Sequence, residues 1–168
     1  MTLCWTLWLL AVVACDFRER RIPNGLVLAG AVLGLGALVA NLQPFGLGWS
    51  AALGGAVVGF GVLLMFYAAG VMGAADVKVA GVLGLWVGAS PLLPIWILAS
   101  VLAGVHSLMW VALQRWPVLP QLASMLSAAD TSPGVAARPI RRQRHVPLAA
   151  YLAIATLLWM AAGGRTGF

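Results

Sequence analysis

"WSAALGGAVVGFGVLLMFYAAGVMGAADVKVAGVLGLWVG", Trp49 to Gly88, contains only two charged residues, Asp76 and Lys78. Its first half, about 50–69, is an unbroken apolar run of the length that crosses a bilayer, for which about 20 residues suffice. Its second half, about 76–90, is equally apolar but shorter, and it opens on an aspartate. Four further apolar segments flank this pair, at about 2–16, 23–40, 92–114 and 146–163. Of the 168 residues, 62% are hydrophobic and 8% charged, and the mean hydropathy is +1.00. Soluble domains carry about 25% charge. The pattern predicts an all-α polytopic membrane protein of six transmembrane helices, with residues 1–168 forming one membrane-embedded domain.

The loops alternate in charge. Arg18, Glu19, Arg20 and Arg21 follow the first segment, whereas "NLQPFGLGWS" after the second has none. The longest loop, about 115–145, carries Arg115, Arg138, Arg141, Arg142 and Arg144. Positive loops stay inside, so the first, third and fifth face the cytoplasm and both termini lie outside. The net charge of +6 therefore marks topology and contacts with anionic lipid headgroups, and excludes nucleic acid as a partner. Part of the 115–145 loop is expected to lie on the inner leaflet as an amphipathic helix. The tryptophans sort the same way. Trp5, Trp8, Trp49, Trp86, Trp96 and Trp159 fall near outer ends and Trp110 and Trp116 near an inner end, as in an aromatic belt.

Several features read as structural. The positive charges follow the first apolar run, which therefore reads as an uncleaved helix and not as a signal peptide. Cys4 and Cys15 form no CxxC pair and read as packing residues. Gly30 with Gly34, Gly55 with Gly59, and Gly84 with Gly88 recur at the four-residue spacing that lets helices approach closely. His106 reads as a packed histidine, since no metal ligands cluster with it.

Four acids remain, Asp16, Glu19, Asp76 and Asp130. Glu19 sits among arginines and Asp130 in the long loop, and both read as solvated. Asp16 and Asp76 each stand at the cytoplasmic end of a short apolar segment. Helices of this length cover only about 20 Å of a core about 30 Å thick, so both acids are expected just inside the inner leaflet. An ionisable residue at that depth is a functional candidate. Singly, Asp16 could end a helix and Asp76 could cap one. Together they form a pair that shares a proton and can activate water against an amide carbonyl. The same pair could instead relay protons in a small transporter or channel component.

The motifs around these residues discriminate. "DFRERRIPN", Asp16 to Asn24, resembles the D-x-x-x-x-x-I-P-N segment of the short type IV prepilin peptidases, the GxGD-type aspartic peptidases. "GAADVKVAGVLGLWVG", Gly73 to Gly88, resembles their G-x-G-D-x-K motif and the small-residue helix after it. "HVPLAAYLAIA", from His145, resembles the segment that opens their last helix. The resemblance implies an aspartic endopeptidase of the bacterial inner membrane, without metal or other cofactor, that cuts the basic leader from prepilins or pseudopilins at the cytoplasmic face. It makes Asp16 and Asp76 the catalytic residues, with Pro23, Asn24, Gly73 and Lys78 in support. Pro23 would turn the chain into the second helix, and Gly73 would relax the backbone before Asp76. Lys78 would meet lipid phosphate, Asp16 or a substrate acid.

This sequence departs from the family pattern in two places. Ala75 replaces the second motif glycine, a strained choice if that position needs positive φ. The paired CxxC motifs of the larger, N-methylating members are absent. The short form looks most like those of tight-adherence (Flp) pili. A structural pilus-assembly partner that had lost catalysis would lack one of the aspartates, and both are present.

Overall fold

The computed structural model describes residues 1–19, 21–115 and 147–163, and among them every regular element is a helix. In chain order these are α1 (Thr2–Glu19), α2 (Asn24–Val39), α3 (Trp49–Ala68), α4 (Ala74–Val87), α5 (Leu92–Arg115) and α6 (Leu148–Ala161). The six apolar segments read from sequence correspond one to one with these helices. Trp49–Ala68 and Leu92–Ala112 are long and apolar enough to cross a membrane, and α2 and α6 are shorter apolar helices.

The breaks have local causes. Pro23 sits at φ −63 and ψ 138, extended, immediately before α2, where its missing N–H costs no intrahelical bond. Gly73 is extended before α4, and Gly88 ends that helix at φ +79, a conformation open to glycine at no steric cost. Asp16 does not end α1, which continues through Phe17 and Arg18 to Glu19. Hydropathy marks where the apolar run stops, whereas the backbone keeps its hydrogen bonds for another turn.

Among the described residues, 1–103 and 147–163 form one compact unit, and the end of α5, 104–115, belongs to a second. The amphipathic helix expected within 115–145 lies outside the described residues, as does Trp116.

In the first unit α4 is the central helix, with every residue from Val82 to Gly88 buried. α3 packs against it antiparallel through glycines. A Cβ on Gly55 would overlap the Gly84 carbonyl, one on Gly84 the Gly55 carbonyl, and one on Gly59 the Ala80 carbonyl. In lipid, where no hydrophobic force drives helices together, such close approach supplies the packing.

α1, α2 and α4 meet around tryptophans. The Trp5 ring stacks on Trp8 at 5.2 Å and on Trp86 at 4.5 Å. Trp8 Nε1 donates to the Leu26 carbonyl at 2.7 Å and Trp86 Nε1 to the Gly30 carbonyl at 3.0 Å. Interhelical bonds of this kind contribute about 0.6–2 kcal/mol each in a bilayer. The belt assignment is therefore corrected for Trp5, Trp8 and Trp86, which are 0%, 4% and 0% exposed. They form an internal layer, in which the Trp8 and Trp86 N–H groups find helix carbonyls and the Trp5 ring is stacked against both of the others. Trp49 and Trp110 do face outward. Cys4 is exposed and Cys15 half-buried, both as free thiols, so Cys4 does not serve packing.

These contacts fix helix direction within the unit. Trp8 lies against Gly30, Trp86 against Gly30 and Gly34, and Lys78 against Asn24. Hence α2 and α4 run together, with α1 and α3 opposed to them. α6 also opposes α1, since Asp16 meets Ala150 and Phe17 meets Tyr151. At its far end, Trp159 of α6 meets Phe45 of the α2–α3 loop at 5.7 Å.

Candidate active site

The site is at the end of the unit opposite the tryptophan layer. Asp16, in the last turn of α1, is only 6% exposed. Burying a carboxylate is costly unless it is hydrogen-bonded, and here Oδ2 accepts the Ala150 N–H at 2.8 Å. Ala150 lies in the first turn of α6, after Pro147, where amide groups have no intrahelical acceptor and the helix presents its positive end. An acid on the first helix thus caps the last one, 134 residues away. One residue along each helix, the Phe17 and Tyr151 rings meet edge-on at 6.0 Å and 82°.

Asp76 is half-buried, the third residue of α4. It is not the N-cap: Gly73 holds that position, without a side-chain cap bond, and its carbonyl accepts the Asp76 N–H at 3.2 Å. A negative charge in a first turn is favoured by the helix dipole. A Cβ built on Gly73 would stand 3.3 Å from Asp76 Oδ2. Gly73 itself is extended, at φ −82, so glycine is useful there for the space it leaves the carboxylate. Ala75 needs no positive φ either, since Asn41 is the only non-glycine with one among the described residues. Its side chain packs on the core, which answers the strain question.

The tryptophan layer relates the two acids. From the level where Trp5 stacks on Trp86, eleven residues of α1 lead to Asp16 and ten of α4 lead back to Asp76. At about 1.5 Å per residue these are rises of about 16 and 15 Å in the same direction. Asp16 and Asp76 therefore stand at one level, and α6 packs against both of their helices.

Lys78 takes a partner within the chain that was not considered for it from sequence. Its Nζ donates to Asn24 Oδ1 at 2.8 Å, tying the first turn of α2 to that of α4. Two residues read separately as supports are thus bonded to each other. Pro23 is exposed at the start of α2, and Ile22 before it is buried in the core. Arg18 and Arg21 form an exposed basic rim beside Asp16. His106 is half-buried on α5, in the second unit.

A family model of the type IV leader peptidase family matches residues 3–108. The chain belongs to the type IV leader peptidase family. No curated protein and no solved structure matches it significantly. The matched stretch of this leader peptidase contains Asp16, Pro23, Asn24, Gly73, Asp76 and Lys78, and so does the resemblance drawn from its motifs. α6 lies beyond it. The Ala150 amide and Tyr151 were not singled out from sequence, because a backbone donor carries no side-chain signature. The only hint is the Pro147 that opens α6 within "HVPLAAY".

Proposed function

We propose that this leader peptidase is an aspartic endopeptidase of the bacterial cytoplasmic membrane that cleaves the leader from type IV prepilins or pseudopilins. Asp16 and Asp76 are its catalytic pair. The observation that carries the reading is the common level of these two acids at one end of the helical unit, in a chain that has only four. One carboxylate takes a proton from water as its oxygen attacks the scissile carbonyl. The other, protonated, donates to the amide nitrogen as the C–N bond breaks. Asp16, anchored by the α6 amide, is the more fixed member. Gly73 keeps space for Asp76, and the Lys78–Asn24 bond holds the α2 and α4 ends in register.

In this reading all six helices span, both termini face outward, and both units belong to one peptidase domain. The outward-facing apolar residues of α2, α3 and α5, such as Val32, Val57 and Ile97, then meet lipid. Arg18, Arg21 and the 115–145 loop meet anionic headgroups. With only Cys4 and Cys15 in the chain, the paired CxxC motifs of N-methylating members cannot form. The peptidase is therefore assigned without methyl transfer, in the manner of the Flp-type enzymes.

Co-expression with a pilin precursor of the same organism tests this on a gel. Wild type shortens the precursor, and Asp16→Asn and Asp76→Asn leave it full length at equal enzyme abundance. Processing that survives either change removes that aspartate from the catalytic pair.

A further inference from the structure

An apolar groove of about 430 Å³ runs between α2 and α3 with α4 as its floor. Val27 and Ala31 line one wall and Val57 and Phe60 the other. It extends along α4 from Lys78 to Leu85, about 10 Å of helix, and opens outward, with Val57 72% exposed. Lys78, also exposed, is the one charged residue lining it. Residues two apart on a helix do not face each other, so the groove lies away from Asp76 and is separate from the candidate active site.

The charge stands inside an apolar belt. Gly59 lies against Ala80, so Lys78, two residues back along α4, is level with Gly61. α3 continues past that level through Leu64, Met65 and Phe66, all exposed, about 5–7 Å further on. Asn24 Oδ1 accepts one proton of the Lys78 ammonium at 2.8 Å. A neutral acceptor leaves the charge uncompensated, and a charge among apolar groups is costly until it is paired.

Shape then selects the anion. Gly81 is the floor residue that could admit a helix, yet Phe60 already covers it: a Cβ there would stand 3.3 Å from the Phe60 side chain. A helix, about 10–12 Å wide with its side chains, meets Phe60 before it reaches the floor. An extended peptide would leave its N–H and C=O groups unpaired against apolar walls. An acyl chain is narrow and carries no such groups. The Lys78 end has room for a headgroup, since a Cβ on Gly25 would meet nothing within 4 Å. There the Asn24 amide, its oxygen taken by Lys78, has two N–H protons to donate beside the ammonium.

We propose that the groove holds an anionic phospholipid, with one acyl chain along α4 and the phosphate on Lys78 and Asn24. The inference rests on the membrane-spanning arrangement proposed above and not on the cleavage chemistry. The lipid fills the gap between two helices that each pack on α4, and it neutralises Lys78.

The full-length protein is reconstituted in phosphatidylcholine vesicles containing a phosphatidylglycerol with a photo-reactive group on its acyl chain. Adducts are mapped by mass spectrometry to the groove and to Leu3, Leu7 and Leu10, which are exposed on α1. Labelling should concentrate on Val27, Val57 and Phe60, and excess unlabelled phosphatidylglycerol should dilute it where phosphatidylcholine does not. Lys78→Gln keeps an amide that can donate to Asn24. It should lower groove labelling about fivefold, the effect of one basic residue on an anionic headgroup, and leave α1 labelling as it was. Val57→Trp, at the open rim, should lower groove labelling too, and it decides the matter if Lys78→Gln does not fold. Equal labelling of both faces, equal competition by either lipid, or unchanged groove labelling in folded Lys78→Gln overturns the proposal. So does displacement of the lipid by added precursor, which would make the groove a peptide site. Labelling of neither face would refute the spanning arrangement and the site with it. A wild type that binds the lipid in this way but cuts nothing would uphold the site and refute the peptidase reading.

Discussion

The two ends of the helical unit are built on opposite rules. At the tryptophan end, indole stacks at 4.5 and 5.2 Å and glycine faces without room for a Cβ leave α1–α4 no freedom to shift. At the carboxylate end the contacts described are polar: an amide on Asp16, an asparagine on Lys78, and a half-buried Asp76 beside a glycine. The closed end acts as a datum. Helices rise by a fixed step, so locking Trp5 to Trp86 places two acids at one level about 15 Å away. Packing dominates one end, and polar groups gather at the other.

The contrast can be broken most severely at the glycines. Gly84→Leu forces a side chain into the Gly55 backbone, and is expected to cost more than about 4 kcal/mol and yield no monodisperse protein in detergent. Gly36→Leu, where nothing lies within 4 Å, should purify normally. Should both behave alike, the tight end is not where stability resides.

Trp86→Ala is next. It removes the stack and the bond to Gly30 and should cost about 3 kcal/mol, a fall in Tm of roughly 10 °C. Cleavage should fall further than the lost folded fraction explains, because the datum is gone. Trp49→Ala, at a side chain 50% exposed, should move Tm little. Full activity in the folded remainder of Trp86→Ala would show that the tryptophan layer does not set the acids' level.

The smallest effect belongs to the carboxylate end. Ala75→Gly restores the family's motif glycine, yet Ala75 is an ordinary helical residue packed on the core. The change should cost about 1 kcal/mol and leave kcat unchanged. A large gain in kcat would mean that the backbone there must adopt a conformation alanine resists.

Sequence carried the helices and the acids but not their contacts. Apolar runs locate all six helices within about three residues, since hydrophobic length is a local property. It could not tell that Trp5, Trp8 and Trp86 turn inward, because a buried indole and a lipid-facing one have the same hydropathy. Nor could it tell that Asp16 receives an amide from Ala150, a contact between residues 134 apart. Asp16 and Asp76 stood out because acids are scarce in this chain. The Lys78–Asn24 bond did not, because each residue had several plausible partners and only the parallel run of α2 and α4 selects one.

The central claim is that Asp16 and Asp76 act as one unit. Its most direct test is the precursor-cleavage kcat/KM of purified full-length wild type, Asp16→Asn, Asp76→Asn and the double variant, each shown to be folded by its tryptophan fluorescence. Residues that act together are strongly non-additive. Each single variant should fall about 10³-fold or more, and the double should fall no further. Losses that add in the double variant, or a folded single variant that still cleaves at the wild-type rate, would contradict a shared catalytic pair.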